Sequence, residues 1–234
     1  MNVAWTYLGE RPYSEVWDQQ EDLRNKILDH NYAGQLLLVE HPPTITLGRA
    51  EKGTNLLFNR KTLNQQGFDV IETNRGGKIT YHGPGQLVAY PVFNLRSFRM
   101  GVKEFVCALE RTMIQCLAQV GIQACRKEGS PGAWVGERKI GSIGIHVRKQ
   151  VSIHGLALNI CPDLSHFALI HPCGIANLQM TSVKQEGHQT SVEEFLPIFL
   201  HSFSKVFNCD MEPTPIGKGR NHHSLKEQNS VCHV

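Results

Sequence analysis

Apolar positions along the chain switch between a period of two and a period near 3.6, and the switches mark out its elements. Residues 3–8 form a short apolar run that predicts a strand. Trp17, Leu23, Ile27 and Leu28 then recur at helical spacing, predicting a helix over Tyr13–His30 that ends at Asn31 and Gly34. Residues 35–41 are a dense strand stopped by Pro42 and Pro43, and residues 44–48 resume extended. A helix is predicted over 56–66, with Thr54 or Asn55 as cap and Gly67 closing it. Strands follow at 69–73, 78–81 and 86–93.

The clearest amphipathic helix is 102–120, with Phe105, Val106, Leu109, Met113, Ile114, Leu117 and Val120 on one side. Residues 133–135, 139–149 and 152–160 return to strand patterning across short polar turns. Ser191 and Glu194 have capping-box spacing ahead of a last helix through about Phe207. No repeat or linker divides the chain, so strands mixed with a few helices predict one α+β (mixed α/β) domain over 1–212. Beyond Pro213 and Pro215 the tail, 213–234, is polar and His-rich without periodicity, and is expected to be disordered.

Composition narrows the function classes. Of 234 residues, 41% are hydrophobic and 19% charged, an ordinary soluble balance. Apolar runs such as Leu36-Leu37-Leu38-Val39 are too short to cross a bilayer, and the first ten residues carry neither a basic region nor an apolar signal core. A cytoplasmic protein with no membrane contact is expected. Seven cysteines, odd in number and irregularly spaced, argue against a disulfide framework. A net charge of +3 suits an acidic partner but falls short of the concentrated charge of a nucleic-acid binder.

Three segments carry candidate chemistry. The first is Arg75-Gly76-Gly77-Lys78-Ile79-Thr80-Tyr81-His82-Gly83-Pro84-Gly85-Gln86. It has neither P-loop spacing nor a dinucleotide fingerprint, and glycines alone fit a pair of tight turns as well as a ligand loop. Arg75, Tyr81 and His82 tilt it toward a site. The second is Lys139: strict alternation puts it on one face with Gly141, Ile143, Ile145 and Val147. A desolvated lysine there would be available for chemistry, but on periodicity alone the weightier reading is a side chain snorkelling out beside Arg138.

The third is Cys173, which alone among the cysteines lies between a proline and a glycine. Pro172 restrains its approach and Gly174 removes bulk beyond the sulfur. An attacking thiol needs such access and a neighbour favouring the thiolate, for which Lys139 is a candidate that sequence alone cannot place. The His222-His223 and Cys232-His233 pairs fit no tight metal site, and no metal is expected. The nine-residue recurrence of Cys107, Cys116 and Cys125 reads as coincidence.

Together the segments resemble the lipoyl(octanoyl)transferase family of the biotin/lipoate ligase superfamily. The likeness runs over residues 8–207 and is carried by the 75–86 motif with Tyr90-Pro91, then by Gly132-Ala133-Trp134-Val135-Gly136-Glu137-Arg138-Lys139-Ile140 and Ser142-Ile143-Gly144. His154-Gly155-Leu156-Ala157-Leu158-Asn159 and Pro172-Cys173-Gly174-Ile175 complete it. The resemblance implies a central, mostly antiparallel mixed sheet flanked by helices. It implies transfer of an octanoyl group from acyl carrier protein to a lysine of lipoyl domains, the first step of endogenous lipoate synthesis. The acceptors would be the lipoyl domains of 2-oxoacid dehydrogenase complexes and the H protein of glycine cleavage.

By the same resemblance Cys173 carries the acyl thioester, Lys139 tunes it, and no cofactor is needed. Arg75, Gly76, Gly77, Lys78, Ile79, Thr80, Tyr81, His82, Ser142, Ile143, Gly144, Gly155, Leu156 and Ala157 would line the acyl site of a monomer. Backbone amides near Cys173 or in the Gly-rich segment are candidate oxyanion donors. Cys161, before Pro162, departs from the family pattern. Two rivals remain: an ATP-dependent lipoate or biotin ligase of the same fold, and a noncatalytic acyl-carrier-binding protein.

Overall fold

The computed structural model describes residues 1–30 and 32–214. Strand β1 (Asn2–Glu10) leads into helix α1 (Tyr13–His30), and β2 (Gly34–Glu40) returns beside β1. A small sheet follows: β3 (Thr44–Leu47), helix α2 (Arg60–Gln65), β4 (Asp69–Glu72) and β5 (Ile79–His82). The chain then re-enters the main sheet as β6 (Gln86–Phe93), crosses it as helix α3 (Val102–Gln119), and adds β7 (Gly132–Val135), β8 (Arg138–Arg148) and β9 (Val151–Asn159). Helix α4 (Val192–Phe207) and strand β10 (Asp210–Pro213) close the fold.

The main sheet runs β10-β1-β2-β6-β9-β8-β7, with only the β10–β1 and β1–β2 pairings parallel. The small sheet runs β4-β3-β5. A mixed, mostly antiparallel sheet flanked by helices is what the sequence led us to expect. One face holds the larger core, where Leu36, Leu38, Leu87, Ala89, Leu156 and Leu158 meet α3 and α4. The other face carries Leu37, Val39, Val88, Tyr90 and Ala157 against Tyr13 and Val16 of α1. Alternation along the strands sends successive residues to opposite layers, which is why the central strands read as continuous apolar runs.

Two elements differ from the pattern read in the sequence. Helix α2 starts only at Arg60, capped by the Asn59 side chain, which accepts from Thr62 N at 2.9 Å. Residues 55–57 are held extended instead: Leu56 pairs with Ile170, Leu57 N donates to Leu169 O, and His171 N donates to Asn55 O. Long-range pairing overrides helical propensity there. Strand β10 carried no apolar signal, yet it pairs with β1, and Thr214 N donates to Trp5 O at 2.8 Å. Pro213 and Thr214 therefore lie on the sheet edge. The rest of the tail, with His222, His223, Cys232 and His233, lies outside the described residues. Among the described residues no helix is long and apolar enough to cross a membrane.

Close packing at β9 yields a stability prediction. A Cβ on Gly155 would stand 2.0 Å from Ala89 O and 2.8 Å from Pro91 Cδ. Gly155→Ala is expected to pry β9 from β6 and cost about 1–3 kcal/mol, the usual range for overpacking. Thermal unfolding measures it; an unchanged midpoint would show that the strands separate freely here.

Candidate active site

Cys173 sits in a single tight turn, Pro172–Gly174, closed by Gly174 N donating to His171 O (2.8 Å) and Ile175 N to Pro172 O (3.0 Å). Its backbone is left-handed (φ 57°, ψ 10°), a conformation that costs a non-glycine residue about 1 kcal/mol or more and that gathers at functional sites. The preceding proline and the pairing of His171 with Asn55 hold the turn in place. Glycine suits position 174, where φ is +71° and a Cβ would displace the end of the Lys78 side chain. The amides of Gly174 and Ile175 close the turn, so neither is free to receive an oxyanion.

Lys139 reaches this turn from β8. It is 2% exposed, and its Nζ donates to Pro131 O at 3.0 Å and to Cys173 Sγ at 3.4 Å. The ammonium also lies over the Trp134 ring, 5.1 Å from the centroid. Strict alternation misplaced this side chain. Trp134 pairs with Lys139 but Ala133 with Gly141, so Ile140 is an extra residue, a β-bulge, and it enters the core. Beyond the bulge Gly141 faces Met113 of α3 and Ile143, Ile145 and Val147 pack on that same side. Lys139 instead shares the opposite face with Gly144, whose missing Cβ makes room for Arg75. Neither snorkelling nor the Gly141 face describes it.

The pair opens onto a cleft of about 550 Å³, a size usual for small-ligand sites. Of the expected lining, Arg75, Gly76, Gly77, Lys78, Ile79, Thr80, His82, Ser142, Ile143, Gly144, Gly155, Leu156 and Ala157 border it with Lys139 and Cys173. Tyr81 does not. Alternation along β5 turns it into the core of the small sheet with Phe68 and Phe167, where its hydroxyl meets His166 Nδ1 at 2.8 Å. Arg75 is 6% exposed. Its Nε and Nη2 donate to Thr46 and its Nη1 to Gly76 O, pinning the Gly-rich loop to β3.

Of the cleft floor, formed by Tyr13, Tyr90, His82 and His154, sequence reasoning named only His82 as a site residue. A left-handed φ of 58° at His154 breaks the alternation of β9 and brings its ring beside Tyr13 and Trp17 of α1. His154 Nε2 donates to Asn74 Oδ1 (2.6 Å), leaving Nδ1 to accept from Tyr13 OH (3.2 Å). His41 Nδ1 donates to Arg11 O and its Nε2 accepts from Tyr90 OH (2.8 Å). His82 Nδ1 donates to Gln86 Oε1 at 2.8 Å. Burial pushes His41 down to about 4 and His154 to about 3, and holds His82 well below the usual histidine range, with neighbouring cations adding to the effect on the last two. The floor is thus neutral. Tyr90 and His154 had an advance signal in the family motifs they belong to, and Tyr13 had none.

The family described as the lipoyl protein ligase A/B catalytic domain matches residues 12–204. The octanoyltransferase of Shewanella sediminis is 41% identical over 198 residues, covering 85% of this chain and 87% of that protein. The octanoyltransferase of Solibacter usitatus is 42% identical over 212 residues, covering 91% and 96%. The chain belongs to this catalytic-domain family and, within it, to the octanoyltransferases, which are acyltransferase enzymes. A crystal structure of lipoate-protein ligase A bound with ATP superposes with a TM-score of 0.73 over 93% of this chain and 90% of that one. At 15% identity that likeness speaks for the fold alone.

Proposed function

We propose that this enzyme moves an octanoyl group from acyl carrier protein to a lysine of a lipoyl domain through a thioester on Cys173. The observation that carries the reading is the contact between Lys139 Nζ and Cys173 Sγ at the head of an apolar-walled cleft. In the first half-reaction Sγ, as thiolate, attacks the donor's thioester carbon and the carrier's thiol leaves. One sulfur replaces another, so the step is nearly balanced and needs no ATP. In the second, the acceptor's amine attacks the Cys173 thioester, the amide forms, and Cys173 is released. Lys139, as ammonium, holds the negative charge on Sγ and gives a proton to the carrier's leaving thiolate in the first half, and the neutral amine this leaves takes the acceptor amine's proton in the second. Each methylene of the octanoyl tail buried in the cleft adds about 0.8 kcal/mol to binding.

An ATP-dependent ligase of the same fold activates a free acid and has no use for a nucleophile, so the cysteine–lysine contact favours transfer. The domain of residues 1–212, acting as a monomer in the cytoplasm, is the unit to which we assign this activity. Mass spectrometry after incubation with octanoyl-acyl carrier protein, without ATP, should find a hydroxylamine-labile octanoyl group on the Cys173 peptide. A lipoyl domain should discharge it. Lys139→Met is expected to slow both steps by about 10²–10⁴-fold, the range for loss of an acid–base group. Label appearing only with free octanoate and ATP would replace transfer with ligation.

A further inference from the structure

One peptide unit links Lys139 to a carboxylate that the reaction so far leaves unused. The Pro131 carbonyl accepts from Lys139 Nζ at 3.0 Å. The N–H of the same planar unit, on Gly132, donates to Glu110 Oε1 at 3.1 Å. Glu110 reaches it from α3 and is only 7% exposed. Its other oxygen meets Arg126 Nε at 3.2 Å, and Arg126 Nη2 donates back to Cys107 O on the same helix. A carboxylate buried to this depth needs hydrogen bonds and a counter-charge, and Gly132 and Arg126 supply them.

We propose that Glu110 is a positioning residue for the Cys173–Lys139 pair, acting through the Pro131–Gly132 peptide. The proposal rests on the assignment of that pair made above. A carboxylate at the N–H end and an ammonium at the C=O end polarise the peptide in the same sense, so each strengthens the other's hydrogen bond. The carbonyl then holds one hydrogen of Lys139 firmly and fixes the rotation of the ammonium, which leaves another hydrogen directed at Sγ. The link needs glycine at 132. Its φ is +141°, and a Cβ would come within 2.8 Å of Lys139 Cε and 2.2 Å of Gly141 O.

A double-mutant cycle on the full chain separates this role from mere packing. The rate of Cys173 alkylation by iodoacetamide at fixed pH, followed on its peptide by mass spectrometry, is measured for Glu110→Gln, Lys139→Met and the double variant. Steady-state transfer kinetics and thermal midpoints accompany it. Glu110→Gln is expected to lower alkylation and kcat about 10-fold, with KM for octanoyl-acyl carrier protein within about twofold, as for loss of support behind a reacting group. In the Lys139→Met background it should add nothing. An equal, additive effect without Lys139, or no effect with it, would overturn the proposal. Should Glu110→Gln fail to fold, Glu110→Asp, which keeps the charge but withdraws it from Gly132, enters the same cycle with the same outcomes. If Lys139→Met alone left alkylation and acylation at the wild-type rate, the pair itself would fall and this inference with it. That result is distinct from loss of the Glu110 link alone.

Discussion

Cys173→Ala is expected to lower octanoyl transfer by about 10⁴-fold or more, as loss of a covalent nucleophile does, and to leave no acyl thioester on the protein. The size of the effect follows from the absence of a substitute among the described residues. Burial pushes the Cys209 thiol up to about 11 and the Cys116 thiol higher still. Cys161, the departure noted in the sequence, packs behind the Gly85 turn, and burial raises it too. The thiol that receives the Lys139 ammonium is Cys173. Because the alanine removes one atom and leaves the cleft lining intact, the variant should still bind octanoyl-acyl carrier protein with near-normal affinity. Turnover above about 1% of wild type, with no contaminating enzyme, would mean that the acyl group passes directly from donor to acceptor.

Acid is expected to destabilise the protein well before its carboxylates titrate. Above about pH 6.5 His41, His82 and His154 are neutral in both the folded and the unfolded chain. As the pH falls below that value the unfolded chain takes up protons that the folded chain refuses, so stability drops. The loss continues until His41 titrates near 4 and His154 near 3, with His82 contributing in the same direction. Each unit of displacement is worth about 1.4 kcal/mol. Together the histidines reach several kcal/mol, a large share of the roughly 5–15 kcal/mol that holds a typical domain folded. Between pH 7.5 and 4.5 the thermal midpoint should fall by roughly 10 °C, and His154→Gln should flatten the dependence. A midpoint constant across that range would mean that the histidines protonate freely in the folded state.

Much of the fold could be read because its elements announce themselves locally. Helices α1, α3 and α4 follow apolar repeats, and the Ser191–Glu194 capping box forms as its spacing suggested. The failures have long-range causes. Residues 55–57 score as helix but are held extended against 169–171, and β10 has no apolar pattern because an edge strand needs none. The long motifs likewise named the cleft lining, since a glycine whose Cβ would strike backbone leaves a trace in sequence even where its neighbour does not. Tyr81 escaped that logic because one residue along a strand reverses the face.

The sequence by itself determined the family, the layers and the candidate nucleophile, for these rest on residue types in order and on periods intrinsic to helix and strand. Only the tertiary structure decided that Lys139 meets Cys173, 34 residues away, and that Glu110 stands behind it. It also brought His82 and His154 together in the cleft floor, with His41 hydrogen-bonded to Tyr90. The reason is physical. A bulge at Ile140, inside the β7–β8 pairing, and a left-handed backbone at His154, inside the β8–β9 pairing, each reverse the direction of side chains. Local periodicity carries no record of such pairings.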